Sequence, residues 1–457
     1  MSFKVAPETI QNISSIARRI YDSGGRAFFV GGFVRDSLLG RKPKDIDIEV
    51  YGLSMETLQK ILAESGKIIL VGRQFGVLRV AGLDVDWSVP RQDSAGRHPR
   101  VAADPSMTPA EASRRRDLTM NSMLQDVLTG EILDPWSGQR DMEQGVLRTP
   151  DSGLFVEDPL RFYRVMQFAA RFEMQPGPEL NEVCQRMDIA KVSVERIEEE
   201  FNKLLLEADR PSLGLRWLNE LGRLPEVLPE LAPLKDTPQD PEWHPEGNVW
   251  RHTLQVVDAA AALRSGDKQR DLILMWAALC HDIGKPVTTA MREGHIRSME
   301  HDREGEKLTK ALLKRLVKTS LIVKGVSKLV AEHMKVLQFY QNKSTEKGFK
   351  RLALKLAPEA DLELLAALAL ADSRGINTEG DLPLNVESEM VDWFLKTARE
   401  SQVSKEPEKP VLLGRHLIGI IEPGPEMGKI LKKAYRIQID EGVRDVEVLK
   451  RKVIGEG

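Results

Sequence analysis

The chain has 457 residues, of which 41% are hydrophobic and 30% charged, with a formal net charge of −3. That length exceeds what one hydrophobic core serves, so three or four domains are expected, and a charge so near neutral leaves any nucleic-acid contact to a local basic surface. No run approaches the roughly eighteen apolar residues of a membrane span, only Cys184 and Cys280 are present, and Met1 to Pro7 lacks a basic-then-apolar leader, so no membrane association, no disulfide framework and a cytoplasmic location are expected.

In chain order, apolar residues at helical spacing (Ile10, Ile13, Ile16, Ala17, Ile20) predict a helix over 8–23. Phe28-Phe29-Val30-Gly31-Gly32-Phe33-Val34-Arg35-Asp36 then reads as strand, turn and helix, and Asp45-Ile46-Asp47-Ile48-Glu49 as a second strand. Gly31 and Gly32 admit a ligand close to the backbone, and the helix starting near Phe33 turns its positive end toward it, which suits a triphosphate. Asp45 and Asp47, two apart on an extended segment, share a face and can grip a hard divalent cation beside those phosphates. The chemistry expected from this pairing is metal-assisted phosphoryl transfer.

Ser54 is a predicted N-cap for a helix through Glu64, and strands are predicted over 68–71, 76–80 and 85–89; Asp84 and Asp86 share a face in the last, as active-site or surface acids. Residues 92–113 lack periodicity and are expected to form a long mobile loop acting as a lid. The basic run Arg114-Arg115-Arg116 precedes Asp117-Leu118-Thr119-Met120-Asn121, and Asp134-Pro135-Trp136-Ser137-Gly138 marks a turn. Asp158-Pro159 opens a helix to about Phe172, on which Asp158, Arg161 and Arg164 stand one turn apart on one face. After a Pro/Asp-rich linker at 241–247, His252, His281-Asp282, His301, His333 and Asp372 lie on separate predicted helices, and from Leu384 onward the chain reads as helical with a charged break at 405–410.

These motifs resemble two families. Gly-Gly-x-Val-Arg-Asp with Asp-x-Asp, Arg-Arg-Asp-Leu-Thr-x-Asn and Glu-Asp-Pro-Leu-Arg resemble the polymerase-β superfamily, in particular bacterial class II CCA-adding tRNA nucleotidyltransferases and poly(A) polymerases. Leu118 stands where that family usually has an aromatic residue. The resemblance implies that Asp45 and Asp47 are catalytic and bind Mg²⁺, that Gly31, Gly32, Arg35 and Arg116 hold the triphosphate, and that Asp36 and Arg115 join the nucleotide site. It further implies that Asp117 and Asn121 hold the sugar side, and that Asp158 and Arg161 bond the Watson–Crick edge of CTP or ATP with Arg164 near the phosphates. A flexible loop at 92–113 accompanies addition of the terminal adenosine in such enzymes. The second half resembles the His-Asp phosphohydrolases, which implies that His252, His281, Asp282 and Asp372 bind one metal and His301 and His333 a second, drawn from Mn, Ni, Co, Fe or Zn.

The expected architecture is α+β: a polymerase-β-like nucleotidyltransferase head (1–150), an all-α neck with the nucleotide-selecting motif (151–236), an HD phosphohydrolase domain (237–380) and a helical tail in contact with tRNA (381–457). The expected function is template-independent addition or repair of the 3′-terminal CCA of tRNA from CTP and ATP, with a second phosphohydrolase activity. Two alternatives stand beside it: an A-adding enzyme or poly(A) polymerase, and a metal-dependent phosphohydrolase whose front half only binds nucleotide or RNA.

Overall fold

In a computed structural model of the chain, residues 6–71, 76–93 and 101–455 are described. They pack as two compact units that divide after Val192. The first contains α1 (Pro7–Asp22), β1 (Arg26–Val30), α2 (Gly32–Leu38), β2 (Asp47–Tyr51), α3 (Met55–Ala63), β3 (Ile68–Val71), β4 (Val77–Val80) and β5 (Asp86–Ser88). There follow β6 (Arg91–Asp93), β7 (Val101–Ala103), α4 (Pro109–Ser113), a 3-10 turn (Thr119–Asn121), β8 (Leu124–Asp126), β9 (Ile132–Leu133) and α5 (Gly138–Glu143). The unit ends with β10 (Val146–Leu147), α6 (Ser152–Phe155), α7 (Leu160–Phe172), β11 (Gln175–Pro176) and α8 (Pro178–Arg186).

Seven strands form one sheet in the order β3-β4-β5-β2-β1-β8-β9, with β2 and β5 parallel and β1 antiparallel to both of its neighbours. Strand alternation decides which face does what. Ala27 and Phe29 of β1, Ile48 and Val50 of β2 and Trp87 of β5 share one buried core with Ile13, Ile16 and Ile20 of α1 and Leu58 and Leu62 of α3. Each fully buried side chain of this kind contributes about 1.5–3 kcal/mol. Phe28, Val30, Tyr51 and Leu124 pack together in a separate cluster. By the same alternation Asp47, Glu49 and Asp86 belong to the face without α1 and α3, where polar side chains escape the cost of burial in the helical core.

The predicted helices and strands around the glycine turn fall within about two residues of their expected bounds, with the second strand running Asp47–Tyr51 where 45–49 was expected, and Ser54 caps α3 by accepting from the Thr57 amide at 3.2 Å. The expectation of a structureless lid over 92–113 is corrected. β6 and β7 pair antiparallel, with Arg91 opposite Ala103, and α4 occupies 109–113. Thr108 and Glu111 form a reciprocal capping box with Pro109 in the first turn, a local signal that fixes a helix too short to show periodicity. Within the expected lid, residues 94–100 lie outside the described part of the chain.

The second unit is almost wholly helical. It holds α9 (Val194–Glu207), α10 (Ser212–Glu220), α11 (Leu224–Val227), α12 (Val249–Ala262), α13 (Lys268–Cys280) and α14 (Lys285–Thr288), then the hairpin β12 (Thr289–Arg292) and β13 (His295–Ser298). α15 (His301–Leu316), α16 (Ser320–Glu332), α17 (Lys335–Gln341), α18 (Glu346–Leu356), α19 (Leu362–Arg374), α20 (Glu389–Glu400), α21 (Pro425–Glu441) and α22 (Val446–Ile454) complete it. α13 is buried on every side from Asp271 to Cys280, because α9, α12, α16 and α19 surround it. Such a helix must be apolar all round, which is why Leu272 to Leu279 shows no polar stripe. No helix among the described residues is long and apolar enough to cross a membrane.

Candidate functional sites

In the first unit the turn between β1 and α2 is built on Gly31, whose φ of 65° and ψ of −128° are open to glycine and strained for other residues. A Cβ there would lie 2.9 Å from Nη1 of Arg116, so the bare α-carbon is what lets that guanidinium approach the turn. Beside it the parallel register sets Asp47 directly opposite Asp86, and the Asp86 amide donates to the Ile46 carbonyl at 2.9 Å, which extends the pairing toward Asp45. Desolvation raises the Asp47 pKa, Asp86 and Asp45 push the same way, and Arg116 and Arg79 oppose them. Three carboxylates that repel one another next to an arginine have the electrostatics of a site awaiting a cation. Asp86, left open between active-site and surface roles by the sequence, is thus an acidic partner of Asp47. Its Oδ1 is oriented by Arg79 Nε at 2.7 Å.

The other residues expected here are brought together by a buried relay. Arg35 is 6% exposed; its Nε donates to Asp36 at 2.8 Å and its Nη1 to Asn121 Oδ1 at 2.7 Å, and its guanidinium lies 4.6 Å from the Phe172 ring centroid. Asn121 Nδ2 donates on to Asp117 Oδ1 at 2.9 Å, and Arg164 Nε donates to Asp117 Oδ2 at 2.6 Å. Desolvation would raise the Asp117 pKa, yet Arg164, Asn121 and the Leu118 amide hold it down at about 2. Asp36, Arg35, Asn121, Asp117 and Arg164 therefore tie α2, the 3-10 turn and α7 to one another. The geometry gives Asp117 and Asn121 each other and two arginines as hydrogen-bond partners.

On α7, Arg161 donates from Nη1 to the Leu154 carbonyl at 2.7 Å and from Nη2 to the Arg115 carbonyl, which fixes the plane of its fork. Burial lowers its pKa, with Asp117 and Asp158 opposing. Asp158 precedes the helix, and its Oδ1 accepts from the Leu160 amide at 3.2 Å. Arg115 donates to the Arg91 carbonyl of β6.

In the second unit all six metal-ligand candidates converge, each from a helix end. His252 sits in the first turn of α12, His281 and Asp282 follow α13, His301 opens α15, His333 follows α16 and Asp372 lies in the last turn of α19. His252 Nε2 is 2.9 Å from Asp372 Oδ1, His281 Nε2 is 3.3 Å from Asp282 Oδ2, and His301 Nε2 is 3.4 Å from Asp282 Oδ1. The Nδ1 atoms of His281, His301 and His333 donate to the carbonyls of Ala278, Ser298 and Val330 at 2.9, 2.8 and 2.7 Å, which leaves every Nε2 a lone pair facing inward. Two of these lone pairs, on His301 and His333, meet at 3.0 Å, and His281 Nε2 is buried without a hydrogen-bond partner. A cation between these nitrogens would take up their inward lone pairs, so the residues fit a metal, and the imidazole–carboxylate set suits a transition ion.

Two neighbours escaped the sequence reading. Glu246, fully buried in the linker before α12, accepts from Nδ1 of both His252 and His244 at 2.9 Å. Desolvation would raise its pKa, but these hydrogen bonds hold it at about 2. Desolvation opposes charge on His252, while Asp372 and Glu246 raise its pKa to about 9. Lys285 Nζ lies 2.7 Å from Asp282 Oδ2 and, against desolvation, helps to keep that carboxyl well below its usual range. The spacing His-x-Glu before the His252 turn was the available signal for Glu246; Lys285 follows Asp282 by one helical turn.

Family models match three stretches of the chain. Residues 27–148 match the poly(A) polymerase head domain, 183–235 the probable RNA- and SrmB-binding site of polymerase A, and 249–374 the HD domain. A "Multifunctional CCA protein" of Stenotrophomonas maltophilia is 36% identical over 324 residues, covering 68% of this chain and 74% of that protein. Its counterpart in Actinobacillus pleuropneumoniae is 33% identical over 392 residues, or 82% and 92%. Among solved structures, the Bacillus stearothermophilus CCA-adding enzyme in complex with CTP superposes with a TM-score of 0.65 at 19% identity, covering 98% of each chain. The Thermotoga maritima CCA-adding enzyme complexed with tRNA does so at 0.57 and 18% identity, over 99% of this chain and 96% of that one. At such identities the structures speak for the fold, while the curated relatives carry the family. Nucleotidyltransferase and HD families are both metal-dependent, and in the second unit His252, His281 and Asp282, and Asp282, His301 and His333, form groups able to hold a metal ion. The chain belongs to the bacterial class II family of CCA-adding tRNA nucleotidyltransferases and poly(A) polymerases, in the branch that carries an HD domain.

Proposed function

We propose that this chain builds or repairs the 3′-terminal CCA of tRNA from CTP and ATP without a nucleic-acid template, and that its HD cluster hydrolyses phosphate esters. The observation that carries the first activity is the pairing of Asp47 with Asp86 across parallel strands, close to Arg116, whose guanidinium crosses the Gly31 turn. Asp45 and Asp47, with Asp86, are the residues that would hold Mg²⁺. Bound there, magnesium lowers the pKa of the RNA 3′-hydroxyl and neutralises charge on the departing pyrophosphate.

The protein's own residues position and select. Gly31, Gly32 and Arg116 seat the triphosphate, with Arg116 supplying the planar donor fork that suits phosphate oxygens. Arg35, Asp36, Asp117 and Asn121 act behind them as positioning residues, holding α7 against the turn so that Arg164 stays near the phosphates. Asp158 and Arg161 read the base edge, with the Arg161 fork oriented by two carbonyls; one matched bidentate base contact is worth about 1–3 kcal/mol of discrimination. The tail contacts tRNA through α21, where Lys429, Lys432, Lys433 and Arg436 recur at helical spacing and are exposed. The working division is a head over 1–150, a neck over 151–236, the HD domain over 237–380 and the tail over 381–457.

In the HD domain, His252, His281, Asp282 and Asp372 would hold one metal and His301 and His333 a second, from among Mn, Ni, Co, Fe and Zn. A metal there supplies an activated water for hydrolysis of cyclic or terminal phosphates. Glu246 orients His252, and Lys285 keeps Asp282 ionised.

The test is one gel with three tRNA substrates, ending before CC, after C and after CC, each given labelled CTP or ATP. Wild type extends all three, and Asp47→Ala extends none. Near-normal CTP incorporation by Asp47→Ala would overturn the catalytic assignment, and ATP addition after CC with no use of CTP would limit the enzyme to A addition. For the second activity, hydrolysis by Asp282→Ala at the wild-type rate would remove the HD assignment.

A further inference from the structure

The cavity above the HD cluster is larger and more apolar than phosphate chemistry alone requires. It encloses about 450 Å³, within the range of pockets that bury a whole organic ligand. Asp282, His301, His333 and Asp372 form one polar part of its lining, and Met299, Met334, Leu337 and Ile376 are among the apolar residues beside them. Trp243 also lines it and is 68% exposed, with no hydrogen-bonding, ring or cation partner for its indole among the described residues.

An exposed indole of this kind would be unremarked on a loose loop, but the backbone beneath this one is fastened. The Asp240 carbonyl accepts from the Trp243 amide at 3.1 Å and from the His244 amide at 2.8 Å. The Asp240 carboxylate accepts from the Glu242 amide, the Ile296 amide and His295 Nδ1, each at 3.1 Å, which staples the turn to β13. His244, next in sequence, is held by Glu246. A large flat side chain left bare at its own solvation cost, carried on a fixed turn beside a histidine–aspartate cluster, suits a flat ligand.

We propose that Trp243 is the specificity-determining residue of the hydrolytic site, stacking on the heterocyclic ring of a nucleoside phosphate whose phosphate lies over the histidine–aspartate cluster. This rests on the hydrolytic reading of that cluster given above. A ring-less phosphate ester reaches the same cluster but gains nothing from the indole. Asp240 is a positioning residue for the stack.

The experiment compares wild type, Trp243→Ala and Trp243→Phe, loaded with manganese, on adenosine 2′,3′-cyclic phosphate and on β-glycerophosphate. Trp243→Ala raises KM for the cyclic nucleotide about tenfold, toward the weaker end of what base–aromatic stacking supplies, with kcat within about twofold. Trp243→Phe restores most of that loss, and the kinetics on β-glycerophosphate stay within about twofold. Independently of turnover, adenosine quenches the tryptophan fluorescence of wild type more than that of Trp243→Ala. An unchanged KM for the cyclic nucleotide, or an equal loss on β-glycerophosphate, overturns the proposal. Should wild type hydrolyse neither compound with manganese, nickel or cobalt, the hydrolytic reading falls, and the difference in adenosine quenching still decides whether Trp243 stacks a base.

Discussion

Replacing Asp117 by Asn removes one negative charge from the middle of the relay joining α2, the 3-10 turn and α7, while keeping an acceptor for the Leu118 amide and for Asn121. A carboxyl held at about 2 rather than 3.8 contributes about 2.5 kcal/mol to folding at neutral pH, since each tenfold change in proton affinity is worth about 1.4 kcal/mol. Asp117 is only 8% exposed, so solvent screening takes little of this away. Local opening of α7 and of the turn should accordingly become about 60-fold more frequent in Asp117→Asn. Amide hydrogen exchange on the whole chain reads this directly: segments 118–124 and 160–172 lose protection by about that factor, and α13 in the other unit does not change. Because the folded-state value is depressed, the contribution is complete above pH 4 and is lost as pH falls toward 2. After correction for intrinsic exchange, wild type should therefore lose protection in these segments over that range more steeply than the variant. Protection within about threefold of wild type at neutral pH would refute the argument that a buried charge holds α7 against the glycine turn.

Two further outcomes test the sites themselves. Gly31→Ala forces a side chain into a backbone conformation that costs about 1–3 kcal/mol and drives its Cβ against Arg116; KM for CTP should rise about tenfold or more in steady-state assays while hydrolysis at the HD cluster is unaffected. His252, with its pKa raised to about 9, is protonated at pH 7 before metal arrives and neutral once it ligates. Manganese or zinc uptake at pH 7 should thus release about one proton, and affinity should climb with pH up to about 9, as titration calorimetry in buffers of different ionisation enthalpy will show. Glu246→Gln should weaken metal binding about 10- to 100-fold by loosening the His252 ring, and uptake without proton release would contradict the assignment of His252 as a ligand.

Much of the site was legible because the signals were local. Alternation in Asp45-Ile46-Asp47-Ile48-Glu49 told which side chains face away from the core, and the His281-Asp282 doublet after an apolar helix marked a cluster whose other members could be named from their types. The Thr108-Pro109-Ala110-Glu111 capping box was equally local and still passed unread, since a helix of five residues offers no period to set against the Gly, Pro and Ser around it.

By itself the sequence determined that helix, strand, glycine turn and strand follow one another in the first half, that a mainly helical half comes after, and that the chain needs more than one core. All of this rests on backbone dihedral preference and hydrophobic spacing within a few residues. Only the tertiary structure decided that Asp86 stands opposite Asp47, that Asp117 and Asn121 bind arginines, and that Glu246 orients His252. Strand register and the partners of a buried charge are chosen by packing between segments tens of residues apart, where desolvation makes one pairing affordable and the others costly, and no local pattern records that choice.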